Sequence, residues 1–227
     1  MSAPEYANRS KLIAHGAHPF DLPTVVSSLA TIHRTLRTTL GRTCRVHASF
    51  NGEDLPRLCT LEQMDEEFIQ SLFDQYPASG NQPLLNATLN YETRTRVAQG
   101  SFQFDHTIDS LHISIDMPIR GIPRKHVIEL ARSIIDPLDP QWVVYHNRAL
   151  IDALYRLYQR FFRTAWLSYH TGMDPDLPEF DTLEIVETTR GVMPVAKPGW
   201  FGRTDEDLLN ELIDLDMLIE DVSVFGW

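Results

Sequence analysis

Apolar residues recur along the chain at two spacings, one typical of helices and one typical of strands. Residues 22–41 place Val25, Leu29, Ile32 and Leu36 on one helical face and end at Gly41, which predicts an amphipathic helix with a glycine stop. The same three-to-four-residue spacing predicts four more helices. They cover residues 60–76, 122–135, 146–162 and 205–221.

Three of these helices carry terminal signatures. Thr60 and Gln63 fit a capping box that begins the second helix. Pro123 suits the first turn of the third helix, and Pro137 is expected to end it. Thr204 is the expected N-cap of the last helix.

The segments between these helices predict strands, several by alternation of apolar and polar residues and one, residues 141–146, as a wholly apolar run. The segments are residues 44–51, 85–97, 101–105, 110–117, 141–146, 164–170, 183–189 and 192–197. A turn at Gln99-Gly100 and another at Arg190-Gly191 would connect neighbours as hairpins. The pattern predicts an α+β fold: a single domain over residues 21–227 with a mainly antiparallel sheet and helices packed on one side.

Two segments show no such pattern. Residues 1–20 are polar and predict a loose N-terminal arm, and residues 75–85 are the only candidate for a domain boundary.

Charge is distributed very unevenly along the chain. The net charge of −11 comes from 31 acidic and 20 basic residues, of which 14 and 3 lie from Thr164 onward, so 17 of each precede it. Such an acidic C-terminal third would repel a phosphate backbone. It favours a cationic partner, or it serves only as a solubilising surface.

Two cysteines, Cys44 and Cys59, provide no disulfide framework, and the N-terminus lacks an apolar signal segment. No apolar run approaches the ~20 residues that span a bilayer. A cytoplasmic protein is therefore expected, without membrane or nucleic-acid partners.

Sequence motifs for catalysis are missing. HExxH, GxSxG, GxGxxG and the Walker loop are absent. Asp214 and Asp216 point about 200° apart on a helix and cannot chelate one ion, whereas Asp174 and Asp176 leave a weak cation site open. The histidines are expected mostly at surface or boundary positions. The chain is therefore predicted not to be an enzyme, with no catalytic, cofactor or metal residues, although a hydrolase or transferase site around Asp105, His106 and Asp109 stays an alternative.

A protein-binding surface is the favoured site. The loop PGWFG places two aromatic residues directly before a terminal helix that holds eight acids and no base over residues 205–221. Aromatic anchors beside charges of one sign are typical of interfaces. The alternative is that the tryptophans pack onto the core and the acids only face solvent. The candidate partner-binding residues are Trp200, Phe201, Asp205, Glu206, Asp207, Glu211, Asp214, Asp221 and Trp227.

The last two-thirds of the chain resembles the immunity proteins of bacterial polymorphic-toxin systems, in the group called immunity protein 52. The resemblance covers residues 85–222, and more weakly 22–51. It rests on RKHVIELARSIIDPLDPQWVVY, on AWLSYH, on the hairpin LPEFDTLEIVETTRGVMPVA and on a closing helix after FGRTDEDL.

This resemblance implies a non-enzymatic cytosolic protein without cofactors. It would bind and neutralise a cognate toxin, often a nuclease delivered by a contact-dependent or type VI route. Nuclease domains hold a polyanion and tend to be basic, so an acidic face would complement them. An adaptor that loads a secreted effector without inhibiting it is a further alternative.

Overall fold

The structure of the chain is a computed structural model. It describes residues 9–17, 19–54, 59–77, 83–93, 97–105, 107–118, 122–159 and 163–219. Five helices and eleven strands are defined within these ranges. The helices are α1 (Leu22–Leu40), α2 (Glu66–Gln75), α3 (Arg124–Leu138), α4 (Arg148–Tyr158) and α5 (Glu206–Leu218).

The strands all belong to one sheet. They are β1 (Arg9–Ala17), β2 (Arg45–Phe50), β3 (Glu53–Asp54), β4 (Cys59–Thr60), β5 (Leu85–Glu92), β6 (Val97–Asp105), β7 (Ser110–Pro118), β8 (Trp142–Asn147), β9 (Leu167–His170), β10 (Leu183–Thr188) and β11 (Gly191–Ala196). Their order is β10-β11-β9-β8-β1-β7-β6-β5-β2-β3, with β4 also paired to β2. The pairings are antiparallel. The α+β class and the mainly antiparallel sheet of the sequence prediction are thus confirmed.

The prediction of a loose N-terminal arm was wrong for residues 9–17, which form β1 in the interior of the sheet. Leu12 lies opposite Ile115 on β7 and opposite Tyr145 on β8. The sequence pattern did not predict this strand, because its inward side includes Ser10, Ala14 and Gly16, which add little to an apolar periodicity. Residues 1–8 lie outside the described part of the chain.

Helices α1, α2 and α3 form a layer over one face of this sheet. Helix α1 contacts both α2 and α3. Its first turn is capped by Asp21, whose carboxylate accepts the Thr24 N–H at 2.7 Å. Beneath the layer, the inward side chains of β5, β6 and β7 are buried and apolar, as in Leu89, Phe102 and Ile113. Most outward side chains of these strands are half-exposed, with Asn90 and His112 exposed and Ser114 buried, so the outer face of the sheet is polar and partly open to solvent.

Helix termini differ from the predicted ones where another residue competes for the cap. The Gln63 side chain accepts the Thr60 N–H at 2.9 Å, yet Thr60 belongs to β4. Helix α2 begins only after Asp65, whose carboxylate accepts the Phe68 N–H at 2.9 Å. Pro137 lies inside α3 rather than ending it.

The turn predicted at Gln99-Gly100 was also wrong, because both residues lie within β6. A Cβ atom at Gly100 would lie 2.6 Å from a ring carbon of Phe102 and 3.1 Å from one of Tyr91. The glycine therefore leaves room for aromatic packing on the inner face. The predicted hairpin between β10 and β11 is confirmed, but its two-residue turn is Thr189-Arg190, one residue before the predicted one, because Gly191 already pairs with Thr188. Residues 78–82, at the predicted boundary, lie outside the described ranges, and that boundary stays a prediction.

The expectation of surface or boundary histidines fails at His33 and His170, which are 1% and 7% exposed. In the core, Nδ1 of His33 donates to the Leu29 carbonyl at 2.6 Å, and its Nε2 accepts from the Tyr91 hydroxyl at 3.1 Å. This arrangement needs the neutral ring. Burial lowers the pKa of His33 from 6.5 to about 4, and burial does the same at His170.

These two buried histidines make stability depend on pH. Because their folded pKa lies below 6.5, the unfolded chain binds more protons between pH 6.5 and pH 4. As the pH falls from 6.5 to 4, the free energy of unfolding is expected to decrease by about 3 kcal/mol per histidine. Urea unfolding of wild type and His33→Gln across this window measures the effect. The variant should show a shallower pH slope, and an unchanged slope would contradict the account.

Candidate protein-binding surface

Helix α5 carries four of the nine candidate residues, Glu206, Asp207, Glu211 and Asp214, and it buries one side while exposing the other. Its buried residues are Leu208, Leu209, Leu212, Ile213, Leu215 and Asp216. The residues facing solvent include Glu206, Asp207, Asn210 and Asp214. The helix thus packs on the molecule as expected and displays carboxylates.

Helix stability accounts for only part of this acidity. Glu206 and Asp207 lie in the first turn, where the positive end of the helix dipole favours acids. Asp214 lies beyond the first turn, where the dipole no longer favours an acid. Asp205, and not the predicted Thr204, is the N-cap residue, but its side chain makes no cap hydrogen bond. Instead its carboxylate pairs with Arg203, with Nε and Oδ2 2.7 Å apart.

The C-terminal end of α5 is held by Arg163. The backbone N–H of Arg163 donates to Oδ1 of Asp216 at 2.8 Å, and its guanidinium donates to the carbonyls of Asp216 and Ile219 at 3.2 and 3.1 Å. These carbonyls are among those that lack partners within the helix. Thr164 adds a hydrogen bond from its hydroxyl to the Leu212 carbonyl at 2.7 Å. The position and rotation of α5 about its axis are therefore fixed by polar contacts as well as by apolar packing.

Glu211, predicted to face a partner, is half-buried and engaged in the fold. Its carboxylate accepts the backbone N–H groups of Asp181 and Thr182 at 2.7 and 2.8 Å, and also the Thr182 hydroxyl. The loop between β9 and β10 is thereby attached to α5. Lys197 holds the same loop from the other side, because its Nζ donates to the Phe180 carbonyl at 2.8 Å.

The two aromatic residues of the PGWFG loop both pack against the core, with part of each surface left open. Phe201 stacks on Tyr145 with ring centroids 5.5 Å apart and also approaches Trp166. Trp200 lies under the Arg203 guanidinium at 5.7 Å. Phe201 therefore has a structural role in this loop, and a partner-binding role for either residue stays a prediction.

Seven exposed carboxylates lie on α5 and on the β9–β10 loop that Glu211 attaches to it. They belong to Asp174, Asp176, Glu179, Asp181, Glu206, Asp207 and Asp214. Among the residues that the structure describes, none of the seven forms an ion pair. The two segments therefore present unpaired negative charge to solvent. Asp221 and Trp227 lie outside the described residues.

The alternative enzymatic site falls on the turn between β6 and β7. Asp105 accepts hydrogen bonds from the Thr107 N–H at 2.9 Å and the Thr107 hydroxyl at 2.6 Å, as in an Asx turn. Asp109 has a φ of 48° in the same turn. The contacts with Thr107 give Asp105 a local structural role, and His106 is not among the described residues.

The described ranges contain neither a metal-ligand group nor a membrane-spanning helix. Nowhere in them do three or more His, Cys, Asp or Glu side chains form a group suited to a metal ion. Asp174 and Asp176 are joined by an Asx-type bond, from the Asp176 N–H to an Asp174 oxygen at 2.8 Å. No helix in the described ranges is long and apolar enough to span a membrane.

Sequence reasoning missed the contact between Arg163 and Asp216. A usable indication was present, because Asp216 lies four residues after Leu212 and one after Leu215, on the apolar side of the helix. A charge at such a position usually has a buried partner. Which residue supplies that partner depends on the tertiary fold.

Comparison with known proteins gives a fold likeness. No protein-family model matches the chain, and no curated protein matches it in sequence. Its fold is similar to that of the Pseudomonas aeruginosa T6SS protein PA0821, with a TM-score of 0.53 and 9% sequence identity over 91% of this chain and 76% of that one. At this identity the likeness concerns the fold alone. Membership of the immunity protein 52 group stays a hypothesis.

The anchoring of α5 leads to a prediction about two acids of that helix. Asp216→Ala removes a carboxylate that is 3% exposed and leaves Arg163 without that acceptor. We expect a loss of about 1–3 kcal/mol in the free energy of unfolding. Asp214→Ala is the matched control, because Asp214 faces solvent on the same helix, and it should change stability by less than about 0.5 kcal/mol. Denaturant unfolding compares the two, and equal losses would contradict this role of Asp216.

Proposed function

We propose that this protein binds and neutralises an antibacterial toxin with a basic surface, most naturally a nuclease effector, in the cytosol of the cell that makes the toxin. The seven uncompensated carboxylates on α5 and the β9–β10 loop carry the proposal. Holding like charges together on one surface costs free energy in the isolated protein. A cationic partner would convert this cost into a gain on binding.

The same charges would act on the rate of association. A negative field attracts a basic partner over about a Debye length, ~8 Å at physiological ionic strength. Electrostatic complementarity of this kind raises association rates and weakens with salt. An inhibitor must act before its toxin does damage, so fast association suits a neutralising role.

The fold likeness supports a role connected with toxin delivery by a type VI secretion system. The similar structure is named as a T6SS protein, and the immunity proteins that this chain resembles protect cells that deliver toxins by such routes. An effector-loading adaptor would bind the same class of partner, so the two roles separate only by whether the toxin stays active in the complex. The described contacts of Asp105 with Thr107 are those of an Asx turn and give the enzymatic alternative no support.

Co-expression with the toxin-like gene that neighbours the coding gene tests the proposal. We expect the producing cells to survive, and the two proteins to co-purify in a complex that weakens as salt increases. A stable complex in cells that still die would identify an adaptor. Death without a complex would overturn the proposal.

Charge reversal tests whether the acids of α5 produce the electrostatic field that speeds association. Asp207→Lys/Asp214→Lys should slow association about tenfold or more at low ionic strength, because it adds four positive charge units to the acidic surface. Glu53→Lys/Asp54→Lys is the matched control, since β3 lies at the opposite edge of the sheet and exposes both acids. Stopped-flow association rates compare the variants. Equal slowing by both pairs would mean that only net charge matters.

A further inference from the structure

Four exposed residues of α5 form one stripe along the helix. Asp207, Asn210, Asp214 and Met217 follow each other at spacings of three, four and three residues, so they share one face. The stripe is about 15 Å long. It begins with acids and ends with an apolar side chain, and Leu218 lies beside that end.

The apolar end of this stripe is unusually open. The side chain of Met217 is 73% exposed and that of Leu218 is 50% exposed. Both lie in the last turn of α5, whose other leucines and isoleucine are buried, so the apolar packing of the helix does not require them. Exposed apolar residues beside charges are typical of protein-binding sites.

We propose that this outer stripe of α5 is the docking element for the toxin, and that the stripe lies in a groove of the partner lined by lysine or arginine, with Met217 and Leu218 in an apolar recess at one end. This inference rests on the proposed function and specifies its contact residues. Charge complementarity selects the occupant, because the acids of the stripe lack ion-pair partners among the described residues.

The two ends of the stripe would make different contributions. The acids remain partly hydrated at a polar rim, so they act mainly on the association rate. Burial of Met217 removes apolar surface from water in the complex, so it acts mainly on the dissociation rate. Methionine also suits this position because its unbranched side chain adapts to an irregular recess.

Helix α4 also exposes apolar side chains, but its charges fit a basic partner less well. Tyr155 and Leu157 are 48% and 50% exposed. The charged residue between them is Arg156, which is exposed. A basic surface would be repelled there, so the same partner is expected to choose α5.

The test uses the purified full chain and the purified product of the neighbouring toxin gene, inactivated in its catalytic site. Met217→Ser should raise the dissociation constant about tenfold through faster dissociation, at both low and high salt. Ile108→Ser is the matched control, because Ile108 is 69% exposed in the β6–β7 turn, away from α5. This control should bind like wild type.

The outcomes separate the inference from the proposed function. Equal unfolding midpoints for the two serine variants establish that Met217→Ser acts on binding and not on folding. If wild type binds and Met217→Ser and Leu218→Ser dissociate no faster than Ile108→Ser, the docking element lies elsewhere and the proposed function stands. If wild type itself forms no complex, both the proposed function and the inference are overturned.

Discussion

Strand β1 is the constraint on which the rest of the fold depends. It pairs with β7 on one side and with β8 on the other, and no other described pairing joins the two halves of the sheet. One half is the meander from β5 to β7 with the β2 edge. The other contains β8, β9, β11 and β10, beside which α5 is anchored. The position of the acidic surface therefore depends on a strand from the opposite end of the chain.

Local sequence patterns predicted most of the helices and strands. They failed where pairing between distant parts of the chain determines the structure. Helix α1 and strands β5 and β7 were predictable because one side of each is strongly apolar. Strand β1 was not, because Ala14 and Gly16 carry little apolar surface and become strand residues only between two partners. Gly100 caused the opposite error, a turn predicted inside a strand, because glycine is common in turns but here leaves room for the Phe102 ring.

The candidate site was predictable as a region but not residue by residue. An acidic, amphipathic terminal helix could be inferred from spacing and charge alone. Which of its acids face solvent could not be inferred from the sequence. Glu211 and Asp216 bind Thr182 and Arg163 within the fold, whereas Asp207 and Asp214 are exposed. These internal contacts hold α5 in a fixed orientation, and that orientation turns the remaining acids and Met217 to solvent.

In the proposed complex, the open acids of α5 meet basic residues of a toxin. Zero-length carbodiimide cross-linking of the complex, read by mass spectrometry, tests it most directly, since it joins only a carboxylate and an amine in contact. The account predicts cross-links from Asp207 and Asp214 to lysines of the partner. Cross-links confined to acids elsewhere, such as Glu53 or Asp116, in a complex that protects cells would contradict it.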